Sequence, residues 1–242
     1  LCEVGFSCVV VDEAHGILTS EFRTVLVALG IRAQKEWRML DTAPPLIGLS
    51  ATPWRSKDSE SRALGKFFDR RLLKPKKLGK MPIDVLQQQG ILSRVRYRRL
   101  RAKGIKPMTP RQKRRFEQFG DLPADYIEAL GREEERNSII INRLLALPRK
   151  RRTLVFACSV EHAQLLTLAL NQAHEERVAA LLTATTPRST RHSIIEEFRQ
   201  GSGVRFLCNV GVLVAGFDAP ATDVVCITRP TCSTARYEQM VG

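Results

Sequence analysis

The chain has 242 residues, 43% of them apolar and 26% charged, enough to bury a core and too apolar for wholesale disorder. Lys and Arg number 39 against 25 Asp and Glu, a net charge of +14, which points toward a polyanionic partner. No run approaches the roughly 18 consecutive apolar residues of a membrane-spanning helix, so no membrane partner is expected.

The first residues, Leu1 to Gly5, hold no basic stretch followed by an apolar one, so no secretory signal is expected. The chain opens on Leu1 rather than Met, which gives the expectation of an internal piece of a longer protein. None of the six cysteines forms a C-x-x-C pair, so neither the zinc nor the thioredoxin pattern is present. Cys8, Cys158, Cys208 and Cys226 fall inside apolar runs and read as small buried hydrophobes of a reduced, cytoplasmic protein.

Three blocks follow in chain order: 1–80, 81–131 and 132–242. In the first, residues 7–11 and 46–49 are short apolar strand candidates, the second preceded by Pro44-Pro45. Between them, residues 20–40 read as helical, with Phe22, Val25, Leu26 and Leu29 as the apolar positions. The middle block is basic and irregular, with Gly104, Pro107, Pro110, Gly120 and Pro123, and reads as a linker or insertion with short helices.

The third block alternates strands and helices. Strands are predicted over 153–157, 178–183, 204–209 and 223–228, and a helix over 160–172 with Ala163, Leu166 and Leu170 on one face. A further helix is predicted with Thr186 as its N-cap and Pro187 at its first position, Ile194, Ile195 and Phe198 as its apolar face, and Gly201 at its end. Continuous apolar strands alternating with helices predict an α/β fold with parallel sheets. Such sheets carry active residues at the carboxyl ends of their strands.

The positive charge is concentrated. Between Arg55 and Arg115 lie 21 Lys and Arg and four acids, Asp58, Glu60, Asp69 and Asp84, while residues 94–115 hold 11 bases and no acid. Such a run reads either as a solvated loop or as a surface that tracks phosphates with little regard for sequence.

Four clusters carry chemistry. In the first, Asp12 and Glu13 follow the apolar run Val9-Val10-Val11 directly, and Ala14-His15 come next. A nucleotide-hydrolysing site needs one acid for Mg2+ and another group to position or activate water, two roles that Asp12 and Glu13 could divide. The second is Gly48-Leu49-Ser50-Ala51-Thr52-Pro53, again after a strand candidate. A Ser-His-Asp hydrolase from Ser50, His15 and Asp12 is discounted, because the G-x-S-x-G elbow is absent. The third runs from Asn209 to Pro220 and includes Gly211, Gly216 and Asp218; the fourth is the segment from Thr228 to Gly242. His162, His174 and His192 lie on helical segments without metal-ligand spacing, and Trp37, Trp54 and three tyrosines are too sparse for a base-stacking platform.

Taken in order, these clusters resemble the superfamily-two helicases and translocases. Asp12-Glu13-Ala14-His15 resembles motif II, and Ser50-Ala51-Thr52 resembles motif III. Residues 153–156 with Ser159 resemble motif IV, Gly216-Phe217-Asp218 motif V, and residues 237–242 the opening of motif VI. Gly48 to Arg55, Gly216 to Pro220 and Arg229 to Ser233 are similar to the DNA-repair and type I/III restriction-motor DEAH subgroup.

The resemblance implies two RecA-like lobes with ATP bound between them, the first lobe present only as its C-terminal half (1–80), the second nearly complete (132–242). It implies that Asp12 holds Mg2+ through water and Glu13 activates the hydrolytic water. Ser50, Thr52 and His15 would couple hydrolysis to movement. Gly216 and Asp218 would contact the nucleotide, and Gln239 would lie near the γ-phosphate. Ser159, Arg191, Asn209 and Gly211 would face nucleic acid, DNA more than RNA; Arg111, Lys113, Arg114 and Arg115 join them if the basic run tracks phosphates, and a protein partner is the other use of that run.

The sequence departs from the family pattern as well. No G-x-x-x-x-G-K-[ST] loop is present, the motif VI arginines are absent, Val210 stands where many relatives have Thr, and Ala215 where the subgroup often has an acid. The 242-residue chain by itself is therefore expected not to hydrolyse ATP. The alternative to a motor is a non-catalytic RecA-like module that binds nucleic acid or a partner through the basic run.

Overall fold

β-branched residues pack well on a pleated surface, and the valines 9–11 form the first strand, β1 (Val9–Val11). In the computed structural model, which describes residues 6–29, 31, 44–50, 58–73, 82–213 and 221–241, the chain divides into two compact units, Leu1–Arg98 and Arg99–Gly242. Both are α/β with parallel strands, the class the apolar runs predict.

In the first unit β1 pairs in parallel with β2 (Leu46–Gly48), Val9 opposite Leu46 and Val11 opposite Gly48. α1 (Ser20–Ala28) and α2 (Asp58–Phe67) supply the apolar cover. Val11, Ala14, Ile17, Leu26, Ile31, Leu64 and Phe67 form the core. α1 is shorter than predicted: its last turn closes where the Ile31 N–H reaches back to the Leu26 carbonyl, and residues 32–40 of the predicted helix lie outside the described residues. Cys8 precedes β1 and is exposed rather than buried. α3 (Pro82–Gln88) follows in the same unit.

The second unit begins with three helices, α4 (Pro110–Phe119), α5 (Ala124–Gly131) and α6 (Glu134–Leu145). The alternation predicted from residue 132 onward then appears as β3 (Thr153–Phe156), α7 (Val160–His174), β4 (Ala179–Leu182), α8 (Arg188–Gln200), β5 (Phe206–Asn209), β6 (Val224–Ile227) and α9 (Thr234–Val241). Each predicted strand is present, trimmed by one or two residues at its ends. α8 starts one residue later than predicted, with Pro187 as N-cap, while the Thr186 hydroxyl accepts from the Thr183 N–H in the preceding turn.

The sheet order is β4-β5-β3-β6, every pair parallel. Side chains alternate between its two faces. On one face Val155, Ala179, Phe206 and Cys208 pack with Ile140 and Leu144 of α6 and Ala163, Leu166 and Leu170 of α7. On the other, Leu154, Phe156, Ala180, Leu182 and Leu207 pack with Ile194 and Phe198 of α8 and Met240 of α9. Both faces are covered, which is why these strands read as unbroken apolar runs.

Candidate functional site

The first cluster stands at the carboxyl end of β1. Val11 is buried in the core, and the chain then turns so that Asp12 is exposed and Glu13 half-buried. Glu13 adopts a left-handed conformation, φ 50°, ψ 43°, which few residues other than Gly take up readily. The Asp12 Oδ1 accepts from the Glu13 N–H at 2.8 Å, the kind of local bond by which Asp steadies a turn. A single 3-10 turn (Ala14–Gly16) follows, and its buried Ala14 carries the cluster back into the core.

The second cluster is joined to the first by backbone and side chain. Leu49 N–H donates to the Val11 carbonyl at 2.8 Å, and Ala14 N–H donates to the Leu49 carbonyl at 2.9 Å. His15 Nδ1 lies 3.2 Å from Glu13 Oε2 and 3.2 Å from Ser50 Oγ. The imidazole thus links the Glu13 carboxylate to the Ser50 hydroxyl, 35 positions away in sequence from His15. Its tautomer decides whether Nδ1 donates to Glu13 or accepts from Ser50.

Gly48 makes this approach possible. A Cβ at residue 48 would stand 2.7 Å from the Ala14 Cβ and 2.6 Å from the Phe68 ring. Only a residue without a side chain lets β2 pass this close to the turn that carries Glu13 and His15.

The remaining candidates lie in the second unit. Ser159 is the N-cap of α7, just after β3, and its Oγ accepts from the His162 N–H at 3.2 Å. Arg191, on α8, folds inward: its Nη2 donates to the Thr183 carbonyl at 3.1 Å and contacts the Thr186 carbonyl at 3.5 Å, tying down the turn after β4. Asn209 ends β5 fully buried, its Nδ2 donating to the Val155 carbonyl at 3.1 Å. Gly211 follows with φ 66° in the turn beyond. Gln239 is half-buried on α9, whose start is held where the Ser233 Oγ accepts from the Arg236 N–H at 3.2 Å. Thr52, Gly216 and Asp218 lie outside the described residues.

Ser159, the turn at Thr183, Asn209 and Thr228 all stand at the carboxyl edge of one parallel sheet, where such folds place their sites. Sequence reasoning missed what braces that edge. Arg136 of α6 donates to the Leu130 carbonyl and, through Nη2, to the Thr228 carbonyl. The Cys158 thiol donates to the same Thr228 oxygen at 3.3 Å. His162 Nδ1 accepts from the Cys158 N–H at 3.2 Å, and burial, then the nearby Arg136 charge, push its pKa down to about 4. It is a neutral core histidine. No sequence signal announces Arg136, because its partner lies 92 positions away.

The basic cluster lies on α4. Its N-terminus carries a capping box: Thr109 Oγ1 accepts from the Gln112 N–H, and Gln112 Oε1 accepts from the Thr109 N–H. Arg111, Lys113, Arg114 and Arg115 are exposed. Arg115 Nη1 lies 3.8 Å from Asp125 Oδ1, and Gln112 Nε2 donates to Asp125 Oδ2 at 3.0 Å. That Gln112 bond, with Arg115 beside it, holds the Asp125 carboxyl below its ordinary range. Among the described residues, no group of three or more His, Cys, Asp and Glu side chains could hold a metal, and no helix is long and apolar enough to cross a membrane.

Residues 135–242 match the family model of the helicase conserved C-terminal domain. The Saccharomyces cerevisiae protein IRC3, assigned as an ATP-dependent helicase, is 24% identical over 244 residues, covering 97% of this chain and 31% of its own length. A 51.5 kDa protein of a Lactococcus phage is 32% identical over 88 residues, 36% of this chain and 19% of that protein. The chain thus spans less than a third of these relatives. Among solved structures, S. cerevisiae Dbp5 bound to RNA and ADP BeF3 aligns with 92% of this chain and 44% of its own, at 14% identity and a TM-score of 0.49. Residues 135–242 are thus similar to the helicase conserved C-terminal domain.

Proposed function

We propose that the protein containing this chain is an ATP-dependent helicase or translocase acting on nucleic acid, DNA more than RNA. The observation that carries this reading is the Glu13–His15–Ser50 linkage at the carboxyl ends of two parallel strands, on a chain whose other unit matches a helicase domain. Two adjacent carboxylates at a strand end suit a hard cation that keeps its own waters and is shared with substrate phosphates. The donor set fits Mg2+ in that mode: Asp12 engages one oxygen with the Glu13 N–H, and among the described residues its second oxygen is left for a water of the ion. Bound there, the ion would neutralise charge on the nucleotide phosphates.

In this reading Glu13 accepts the proton of the attacking water. His15 then reports the protonation state of Glu13 to Ser50, and with Thr52 this passes hydrolysis on to movement. Gly216, Asp218 and Gln239 serve the nucleotide, and Ser159, Arg191, Asn209 and Gly211 serve the edge that meets the strand. Contacts to phosphates would dominate, so binding would show little sequence preference.

The test is Glu13→Gln in the full-length protein. ATP binding should persist while hydrolysis falls by orders of magnitude, because an amide cannot take the proton. Normal hydrolysis by that variant would remove Glu13 from this role and favour the non-catalytic binding module.

A further inference from the structure

We propose that residues 99–106 and the outer face of α4 form a docking surface for the phosphate backbone of nucleic acid, separate from the strand ends of the sheet. The proposal depends on the reading above only for the identity of the polyanion. It requires neither bound nucleotide nor the acids Asp12 and Glu13.

The surface lies wholly within the second unit. Arg99, Arg101, Lys103 and Lys106 are all exposed along an irregular, largely extended stretch that leads into α4. The Tyr126 hydroxyl of α5 approaches the Lys106 carbonyl at 3.5 Å. On α4, Arg111 and Arg114 are three residues apart and share a face, and Lys113 stands at its flank. Among the described residues these three cations have no carboxylate partner. Arg115 differs, since it leans on Asp125 of α5.

The acids near this array are few. None occurs between residues 94 and 115, Glu117 is the first to follow, and Glu135 of α6 comes near Gly104. Cations in such excess repel one another, so the free surface is held at an electrostatic cost that a linear polyanion relieves. α4 buries none of its residues fully. Its helical form rests on the capping box, on Gly120 at its C-terminal end with φ 69°, and on the Gln112 and Arg115 contacts to Asp125. Those contacts occupy the inner side and leave Arg111, Lys113 and Arg114 outward. A row of point charges without an enclosing pocket suits phosphates, which are recognised by position and charge.

Anisotropy of the whole chain with labelled duplex DNA, titrated with salt and without nucleotide, tests the surface. Each neutralised phosphate contributes about 0.9 to the log–log slope. The combined change Arg111→Gln, Lys113→Gln and Arg114→Gln should therefore flatten it by roughly two to three units. Arg115→Gln should change it least among the four positions. An unchanged slope in the triple variant overturns the proposal. So does a triple variant that loses binding to polyglutamate but keeps binding to DNA, since the surface would then serve a protein.

Acetylation of the unmodified protein supplies a test that needs no substitution. Lys103, Lys106 and Lys113 should be protected by bound DNA, and equal labelling with and without DNA overturns the surface. Failure here with normal ATP hydrolysis in the full-length protein would leave the motor reading standing. Normal hydrolysis by Glu13→Gln together with a slope flattened in the triple variant would do the reverse.

Discussion

The two units end their parallel strands in different ways. In the first, the two described strands leave Val10 58% and Ile47 46% exposed on one side, and its acids stand in or near solvent at the strand end. In the second, the four-stranded sheet is covered on both faces, and even the polar residues at its carboxyl edge, Asn209 and Thr228, are buried. The turn bearing Asp12, Glu13 and His15 is therefore placed by a few specific contacts: the Leu49 backbone bonds, the Ser50 hydroxyl and the missing Cβ of Gly48. The edge bearing Ser159, Asn209 and Thr228 is placed by burial and by the bonds that burial demands. Perturbation of the second unit should thus appear as lost stability, and perturbation of the first as a displaced site.

The largest expected effect tests the buried edge. His162 has an ordinary pKa of 6.5, lowered to about 4 in the fold by burial and then by Arg136. Above about pH 6.5 it is neutral in both folded and unfolded chains and adds no pH dependence. Below that, the unfolded chain takes up a proton that the folded one resists, so stability falls with falling pH. The loss grows until about pH 4 and then levels off, reaching on the order of 3 kcal/mol. Urea unfolding of the second unit across this range should show the fall, and His162→Gln should remove most of it. An identical fall in the variant would assign the acid sensitivity to other groups.

The next effect tests the exposed turn. Gly48→Ala places a methyl group against Ala14 and Phe68 at distances no packed carbon tolerates, so one of them must move. Overpacking of this kind costs about 1–3 kcal/mol. Phe68 can swing; Ala14 cannot move without shifting Glu13 and His15. The expected outcome is a modest fall in the unfolding midpoint with a disproportionate loss of ATP hydrolysis in the full-length protein. Full activity alongside lost stability would show that Phe68 alone absorbs the strain.

This contrast also explains what was legible in the sequence. Strands covered on both faces read as continuous apolar runs, so β3 to β6 were visible within one or two residues of their ends. Asp12, Glu13 and Ser50 were visible as residues following strands. α6 was not, because its Ile139-Ile140-Ile141 run blurs the helical period, although only Ile140 of the three is buried. Nor were the contacts between distant positions: His15 with Ser50, Arg136 with Thr228, Gly48 with Ala14. Arg115 shows the same limit at shorter range. It stands in one run with Arg111, Lys113 and Arg114, and only the fold reveals that it pairs with Asp125 while they do not.

The smallest effect concerns α4, which belongs to neither pattern. It has no fully buried residue, so packing contributes little and local signals decide whether it forms. Thr109→Ala removes the hydroxyl that accepts from the Gln112 N–H and leaves one end of the helix without its cap. Such a loss costs about 1 kcal/mol. Because the rest of the second unit does not depend on α4, this cost should appear as local opening and leave global unfolding unchanged. Amide exchange at residues 112–116 should quicken by roughly fivefold, while amides of β3 and β5 keep their protection. If the core amides quicken equally, α4 is part of the cooperative unit after all. If exchange at 112–116 does not change, the Asp125 contacts to Gln112 and Arg115 hold the helix without its cap, and the basic face of α4 owes its form to α5.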